Sequence, residues 1–211
     1  MKDLTSQVSA PPRPKAGRKV EQVIAGARTV FVRAGFEGAS VDEIAREAGV
    51  SKATLYSYFS DKRLLFMEVA KAECRAQTDA ALEEIDRSRP VREVLFEAGR
   101  RMSQFFVSDV GQETYRIVVA ESPRFPDLGR EFWETGPGRL RAVLAVFFQE
   151  AVDRGELAID DLELAADQFP ELCKAGLHIQ LVSGMRSEFS QEEIERTIAG
   201  AVDMFLARYG T

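Results

Sequence analysis

The chain has 211 residues, 45% hydrophobic and 29% charged, with a formal net charge of −6, a composition that suits a globular protein of one or two domains with a sizeable core. No run approaches the roughly 18 apolar residues of a membrane span, and a single histidine with two distant cysteines, Cys74 and Cys173, offers no metal-ligand spacing and favours reduced thiols. The charge is uneven: Met1–Leu65 holds 11 Lys/Arg against 7 Asp/Glu, and the remainder holds 17 against 27, so a basic head precedes an acidic body and orients the molecule toward a polyanion.

Met1–Gly17 is polar and Pro-rich without an apolar signal core, which predicts a disordered, uncleaved basic arm on a cytoplasmic protein. Arg13, Lys15, Arg18 and Lys19 suit a nucleic-acid backbone or an adjacent minor groove, and equally suit a solvated tail. From about Arg18 to Ala34, the apolar residues Val20, Val23, Ile24, Ala27, Phe31 and Ala34 recur on one helical face. Phe36 is expected to plug the same core.

The stretch SVDEIAREAGVSKATLYSYF, Ser40–Phe59, carries the chemistry. Ser40 with Glu43 is a capping box that starts a helix. Ile44, Ala45 and Ala48 give that helix its apolar stripe, and Gly49 follows where a left-handed residue ends it. Ser51 caps a second short helix whose Leu55 faces back toward Ile44, leaving Lys52, Ala53, Thr54, Tyr56 and Tyr58 outward. Two short helices around a tight turn form a helix-turn-helix, the second helix fitting a DNA major groove. Its hydroxyls, phenols and lysine suit phosphates and base edges, and the Thr54 methyl suits a thymine methyl. An αα-hairpin with surface tyrosines has the same spacing.

Gly35-Phe36 followed by SVDEIAREAGVSKATLYSYFSDKRLLF resembles, over about Arg18–Phe66, the DNA-binding region of the TetR/AcrR family of bacterial one-component repressors. The family often has glycine where Ala53 stands and acidic residues around Arg63, departures that leave the operator sequence open. The resemblance implies a homodimer on a palindromic double-stranded DNA operator, repression, and release when a small molecule binds the C-terminal domain. It also assigns a phosphate contact to Lys62, which with Arg63 stands in the first turn of the next helix, against the macrodipole.

That helix is expected from Ser60 or Asp61 to about Ile85, with Val69, Ala72, Ala76, Ala80 and Ile85 entering a second domain. After a break at Asp86–Pro90, Val91, Val94, Leu95, Ala98, Met102, Phe105 and Phe106 mark another helix, and Gln112–Ala120 a shorter one. Pro123 and Pro126 fix the loop Glu121–Gly129. A helix near Leu128 carrying Phe132 and Trp133 meets a break at Gly136-Pro137-Gly138, and Val143, Leu144, Phe147, Phe148, Ala151 and Val152 continue to about Gly155. The phrase YRIVVAESPRFPDLGREFWETGPGRLRAVL, with DLELAADQF, resembles the C-terminal domain of an AefR-like subgroup.

Asp160 with Glu163 is read as the cap of a helix over Leu162–Val182, and Ser190 with Glu193 as the capping box of a last helix bearing Ile194, Ile198, Ala201, Val202, Phe205 and Leu206. Small residues in both, Ala175, Gly176, Ala199, Gly200 and Ala201, suit close approach to a second copy across a two-fold axis.

The expectation is an all-α protein of about nine helices: an arm at 1–17, a three-helix DNA-binding domain at 18–64 and a ligand-binding and dimerisation domain at 65–211. Proposed DNA contacts are Ser40, Ser51, Lys52, Ala53, Thr54, Tyr56, Tyr58 and Lys62. A pocket for a small, largely apolar effector is expected from Met102, Phe105, Phe106, Phe132, Trp133, Phe147 and Phe148, with Arg116, Glu121 and His178 as polar anchors, although the same aromatic residues suit an ordinary core. No cofactor, metal or membrane partner is expected. Glu113 and Glu121 are the sole candidate carboxylate pair in a chain without a phosphate-binding glycine loop or nucleophile elbow, so a non-enzyme is expected. The alternative is a DNA-binding or architectural protein without effector control.

Overall fold

The computed structural model describes residues 17–211 other than 124, together with the backbone but not the side chains of 74 and 77–84. Residues 1–16 of the expected arm and the state of the Cys74 side chain lie outside the described residues. Among those residues the chain forms eleven helices. They are α1 (Arg18–Gly38), α2 (Val41–Glu47), α3 (Lys52–Tyr58), α4 (Lys62–Glu84), α5 (Val91–Phe106) and α6 (Asp109–Glu121). Then come α7 (Pro126–Thr135), α8 (Pro137–Asp153), α9 (Leu162–Lys174), α10 (Leu177–Val182) and α11 (Gln191–Tyr209).

The head is built on α1, whose Val20, Val23, Ala27, Val30 and Phe31 pack on Ile44 and Ala45 of α2, Leu55 of α3 and Leu65, Phe66, Met67, Val69 and Ala70 of α4. Gly26 lets α1 and α2 touch: a Cβ there would stand 2.7–2.8 Å from the backbone N, Cα and Cβ of Ala48. Ala34, expected on the buried face, is exposed, because Gly35 leaves helical geometry at φ 70° and turns the end of α1 away. Phe36 does join the core, 5.2 Å edge-on from Phe66. Ala72 and Ala76 of α4 are likewise exposed rather than buried. The second domain reaches the head through the α6–α7 corner, whose Ile117 and Leu128 are buried in the same core as Phe31 and Phe66.

A separate core lies among α5, α8, α9 and α11, around Leu95, Phe148, Phe169, Ile198 and Phe205. Phe148 and Phe169 stand 4.9 and 5.3 Å from the Phe205 ring, and Tyr209 closes the cluster at 4.9 Å with its hydroxyl donating to Gln168 (2.7 Å). Cys173 is buried and free, its thiol pushed up to about 12 by burial.

Several boundaries differ from expectation for local reasons. Helix α6 starts at Asp109, not Gln112, because the Ser108 hydroxyl accepts from Gly111 N–H at 3.0 Å. Helix α7 starts at Pro126, whose fixed φ suits a first helical turn. The cap of α9 is Asp161 rather than Asp160, accepting from Leu164 N–H at 2.9 Å. The single helix expected over 162–182 is two, since Gly176 takes φ 74° and turns the chain between α9 and α10. The break at Gly136-Pro137 falls as expected.

Candidate nucleic-acid interface

Local capping fixes the two motif helices. The Ser40 hydroxyl accepts from Glu43 N–H (3.1 Å), while the Glu43 carboxylate turns to that hydroxyl (3.3 Å) and to Arg33 (3.6 Å). The fully reciprocal capping box forms instead at Ser190 and Glu193. Gly49 takes φ 63°, and Val50 N–H reaches back to Ala45 O at 3.0 Å, the closing bond of a left-handed helix stop. Ser51 starts α3 by accepting from Thr54 N–H at 3.0 Å, and its hydroxyl lies 2.8 Å from that of Thr54.

Leu55 is buried in the head core with Ile44, so the opposite side of α3 faces solvent. Ser51, Lys52, Ala53, Tyr56 and Ser57 are exposed there, as is Ser40 at the start of α2. Thr54 is half-buried, and Tyr58, expected outward, is half-buried against the head core. A helix anchored by one leucine and showing hydroxyls, a phenol and an ammonium is suited to a groove edged by phosphates.

Lys62 and Arg63 have protein partners that account for their place in the first turn of α4. Lys62 Nζ donates to Phe36 O (2.7 Å) and Ala39 O (3.1 Å) and stands 4.4 Å from the centre of the Phe36 ring, tying down the end of α1. Arg63 pairs with Asp61 (2.6 Å) and with Glu121 at the end of α6. The Arg63 guanidinium holds the Asp61 carboxyl below its ordinary range. Lys71, almost buried, bridges Glu68 to Glu131 of α7. The conflict with the macrodipole is therefore met by carbonyls and carboxylates of the chain itself. Sequence reasoning does not single out Asp42, which binds Lys52 across the motif turn at 2.9 Å; nothing local signals a pair between two helices.

The ten residues proposed for an effector are not gathered around one space, and Phe148 is wholly buried in the second core. Met102 and Phe147 are buried in the second core, and Phe132 packs on the head core. Trp133 is exposed, with the Arg141 guanidinium 5.4 Å from its ring centre. Glu121 is taken by Arg63. Three do converge, where α5, α6 and α10 meet, with Phe105 beside them on the side toward the head. His178 lies 4.7 Å from Tyr115 and 6.3 Å from Phe106, Phe105 adjoins Phe106 at 6.4 Å, and Arg116 donates to Leu181 O (2.8 Å) and Val182 O (2.9 Å). A crevice of about 280 Å³ between the head and α5–α6, lined by Phe31, Val69 and Val110, takes only Phe105 from the ten. Among the described residues, no group of three His, Cys, Asp or Glu side chains could hold a metal ion, and no helix is long and apolar enough to cross a membrane.

A short polar helix presented by a three-helix head, with a helical second domain locked into the head's core, defines a helix-turn-helix transcriptional regulator. Residues 23–69 match the bacterial regulatory proteins of the tetR family, and residues 93–211 match the C-terminal domain of AefR-like transcriptional repressors. The chain belongs to the TetR family, in its AefR-like branch. It is 24% identical over 188 residues to the HTH-type transcriptional repressor AcnR of Corynebacterium glutamicum, covering 89% of this chain and 94% of AcnR. The structure of a TetR-family regulator from Mesorhizobium loti is similar at a TM-score of 0.78 and 29% identity, over 92% of this chain and 98% of that one. The flavonoid-responsive regulator FrrA is similar at a TM-score of 0.65 and 36% identity, over the same shares. Family and fold are those of DNA-binding regulators of transcription, and the expected all-α architecture stands.

Proposed function

We propose that the protein is a cytoplasmic repressor that binds a palindromic operator as a homodimer through α3 and leaves it when a small, largely apolar effector binds the second domain. The observation that carries this reading is α3 itself, with Leu55 buried and Ser51, Lys52, Ala53 and Tyr56 exposed on its other side. Ser40, Thr54, Tyr58 and Lys62 complete the proposed DNA contacts, Lys62 with the one ammonium hydrogen left after its two carbonyl bonds. The repressor sense is supported by the C-terminal match and by AcnR.

A homodimer is supported by the outer side of α9–α11, where Leu164, Ile179 and Met204 are at least half exposed. A Cβ at Gly200 would meet nothing within 4 Å. Apolar side chains grouped this way on the last helices suit a second copy across a two-fold axis.

Effector control is supported by the ring cluster of Phe106, Tyr115 and His178. A flat aromatic guest fits such edges, and FrrA, 36% identical, is named for its response to flavonoids. A guest parting α5 from α10 would press on α6, whose Ile117 and Glu121 hold the head core and Arg63. Displacing that corner tilts α4 and changes the spacing of the two heads on DNA. Regulation without an effector is the second reading, favoured by the core positions of Met102 and Phe147.

Genomic fragments retained by the purified protein are expected to share an inverted repeat, footprinted as one dimer per site. Flavonoids and other planar aromatics titrated onto that complex are expected to release it. A footprint without symmetry would overturn the dimer reading, and a complex indifferent to the whole panel would favour the second.

A further inference from the structure

We propose that Asp42 is a built-in stand-in for a DNA phosphate: it holds Lys52 in a pair while the head is loosely placed and yields it when α3 seats, so that Asp42 sets the margin between operator and non-operator binding. This rests on the reading that α3 faces DNA.

Asp42 stands in the first turn of α2 and Lys52 at the first residue of α3, with Lys52 Nζ 2.9 and 3.2 Å from the two carboxylate oxygens. Neither side chain is a strut of the fold. Their side chains are 73% and 52% exposed, and pairs so open to water add little stability. Nor does α2 need Asp42 to start, since Ser40 supplies its cap. The pair therefore has its consequence at the surface that meets DNA, where the hydrogen bond and charge of Asp42 hold Lys52 more firmly protonated.

An ammonium already bound to a carboxylate gains little by touching a phosphate. The exchange swaps one anion for another, leaves the carboxylate beside the phosphate, and forgoes the counterion release that drives sequence-independent binding. Where α3 does not fit, nothing offsets that loss. In a seated complex, base-edge and backbone contacts fix α3 against the groove, and the exposed Asp42 side chain is free to rotate away from the arriving phosphate. Asp42 thus weakens loose complexes more than seated ones.

The test measures binding of full-length protein to a random-sequence duplex and to a duplex carrying a sequence the wild type selects, across a range of salt. Asp42→Asn keeps shape and removes charge. It is expected to tighten random-sequence binding by about threefold to fivefold and to steepen its salt dependence by about one counterion, with a smaller gain on the selected sequence. In a Lys52→Ala background the same change is expected to lose most of its effect. An Asp42→Asn variant that binds random DNA as the wild type does overturns the proposal. So does an equal gain with and without Lys52, which would mark a general charge effect. Should Lys52→Ala leave binding to both duplexes unchanged at every salt concentration, the placement of α3 on DNA fails as well, which tells the two failures apart.

Discussion

At the scale of single residues, Lys62 couples the end of α1 to the proposed DNA-binding surface. The carbonyls of Phe36 and Ala39 lie at the end of α1, where helical partners run out, and one ammonium satisfies both. Ser40, the cap of α2, follows directly, so the lysine sets the angle at which the motif leaves α1. Replacing Lys62 by Met keeps the apolar stem beside Phe36 and removes the donors. We expect this to cost about 1.5–3 kcal/mol in urea unfolding, the range for hydrogen bonds to a charged group. If the remaining donor also meets a phosphate, the salt dependence of DNA binding flattens by about one counterion. Unchanged stability would show that α1 ends equally well without it.

At the scale of elements, what is local was legible and what is relayed was not. Ser40, Ser51 and Ser190 start helices where expected because an N-cap depends on the next three residues only. The faces of α5, α8 and α11 are buried as their spacing predicts, since a helix has one period and a core one direction. Gly176 misleads, because a glycine in an apolar helical pattern reads equally as a close contact or as a left-handed stop. Apart from Asp61, the partners of Lys62 and Arg63 are 23 to 58 residues away and have no local signature. For the same reason the candidate pocket was legible as aromatic surplus but not as an arrangement.

The stop at Gly176 places His178 on α10, half-buried beside Phe106 and Tyr115. Burial lowers its pKa below 6.5, the Lys174 and Arg116 charges lower it further, and Glu171 opposes them. The folded protein therefore disfavours the imidazolium. As pH falls through 6.5 the unfolded chain takes up the proton first, so stability is full above that value and declines toward the lowered folded pKa. Urea unfolding at pH 7.5 and 5.5 should show the wild type losing more stability over that interval than His178→Gln. An equal loss in both would place the acid sensitivity elsewhere.

At the scale of the whole molecule, the proposed repressor needs two heads held at a fixed spacing, a duty the proposal gives to the outer surface of α9–α11. A groove of about 520 Å³ runs between α9 and α11, lined by Leu172, Ala175, Met204, Phe205 and Tyr209. Met204 stands at its edge with 63% of its surface in water, one turn beyond Gly200. In the proposed dimer these residues come to the centre of the interface, where taking a carboxylate out of water costs several kcal/mol even with Arg208 one turn away. Met204→Glu changes nothing in the head or in the aromatic core beneath, so the subunit is expected to keep its helical content and become monomeric by light scattering. Operator affinity should fall at least about tenfold, because the second head no longer binds at the effective concentration its partner provides. Met204→Leu, apolar and similar in volume, should leave both properties intact. A Met204→Glu protein that stays dimeric would move the interface off α11, and a monomer that holds the operator undiminished would remove the spacing of two heads as the controlled quantity.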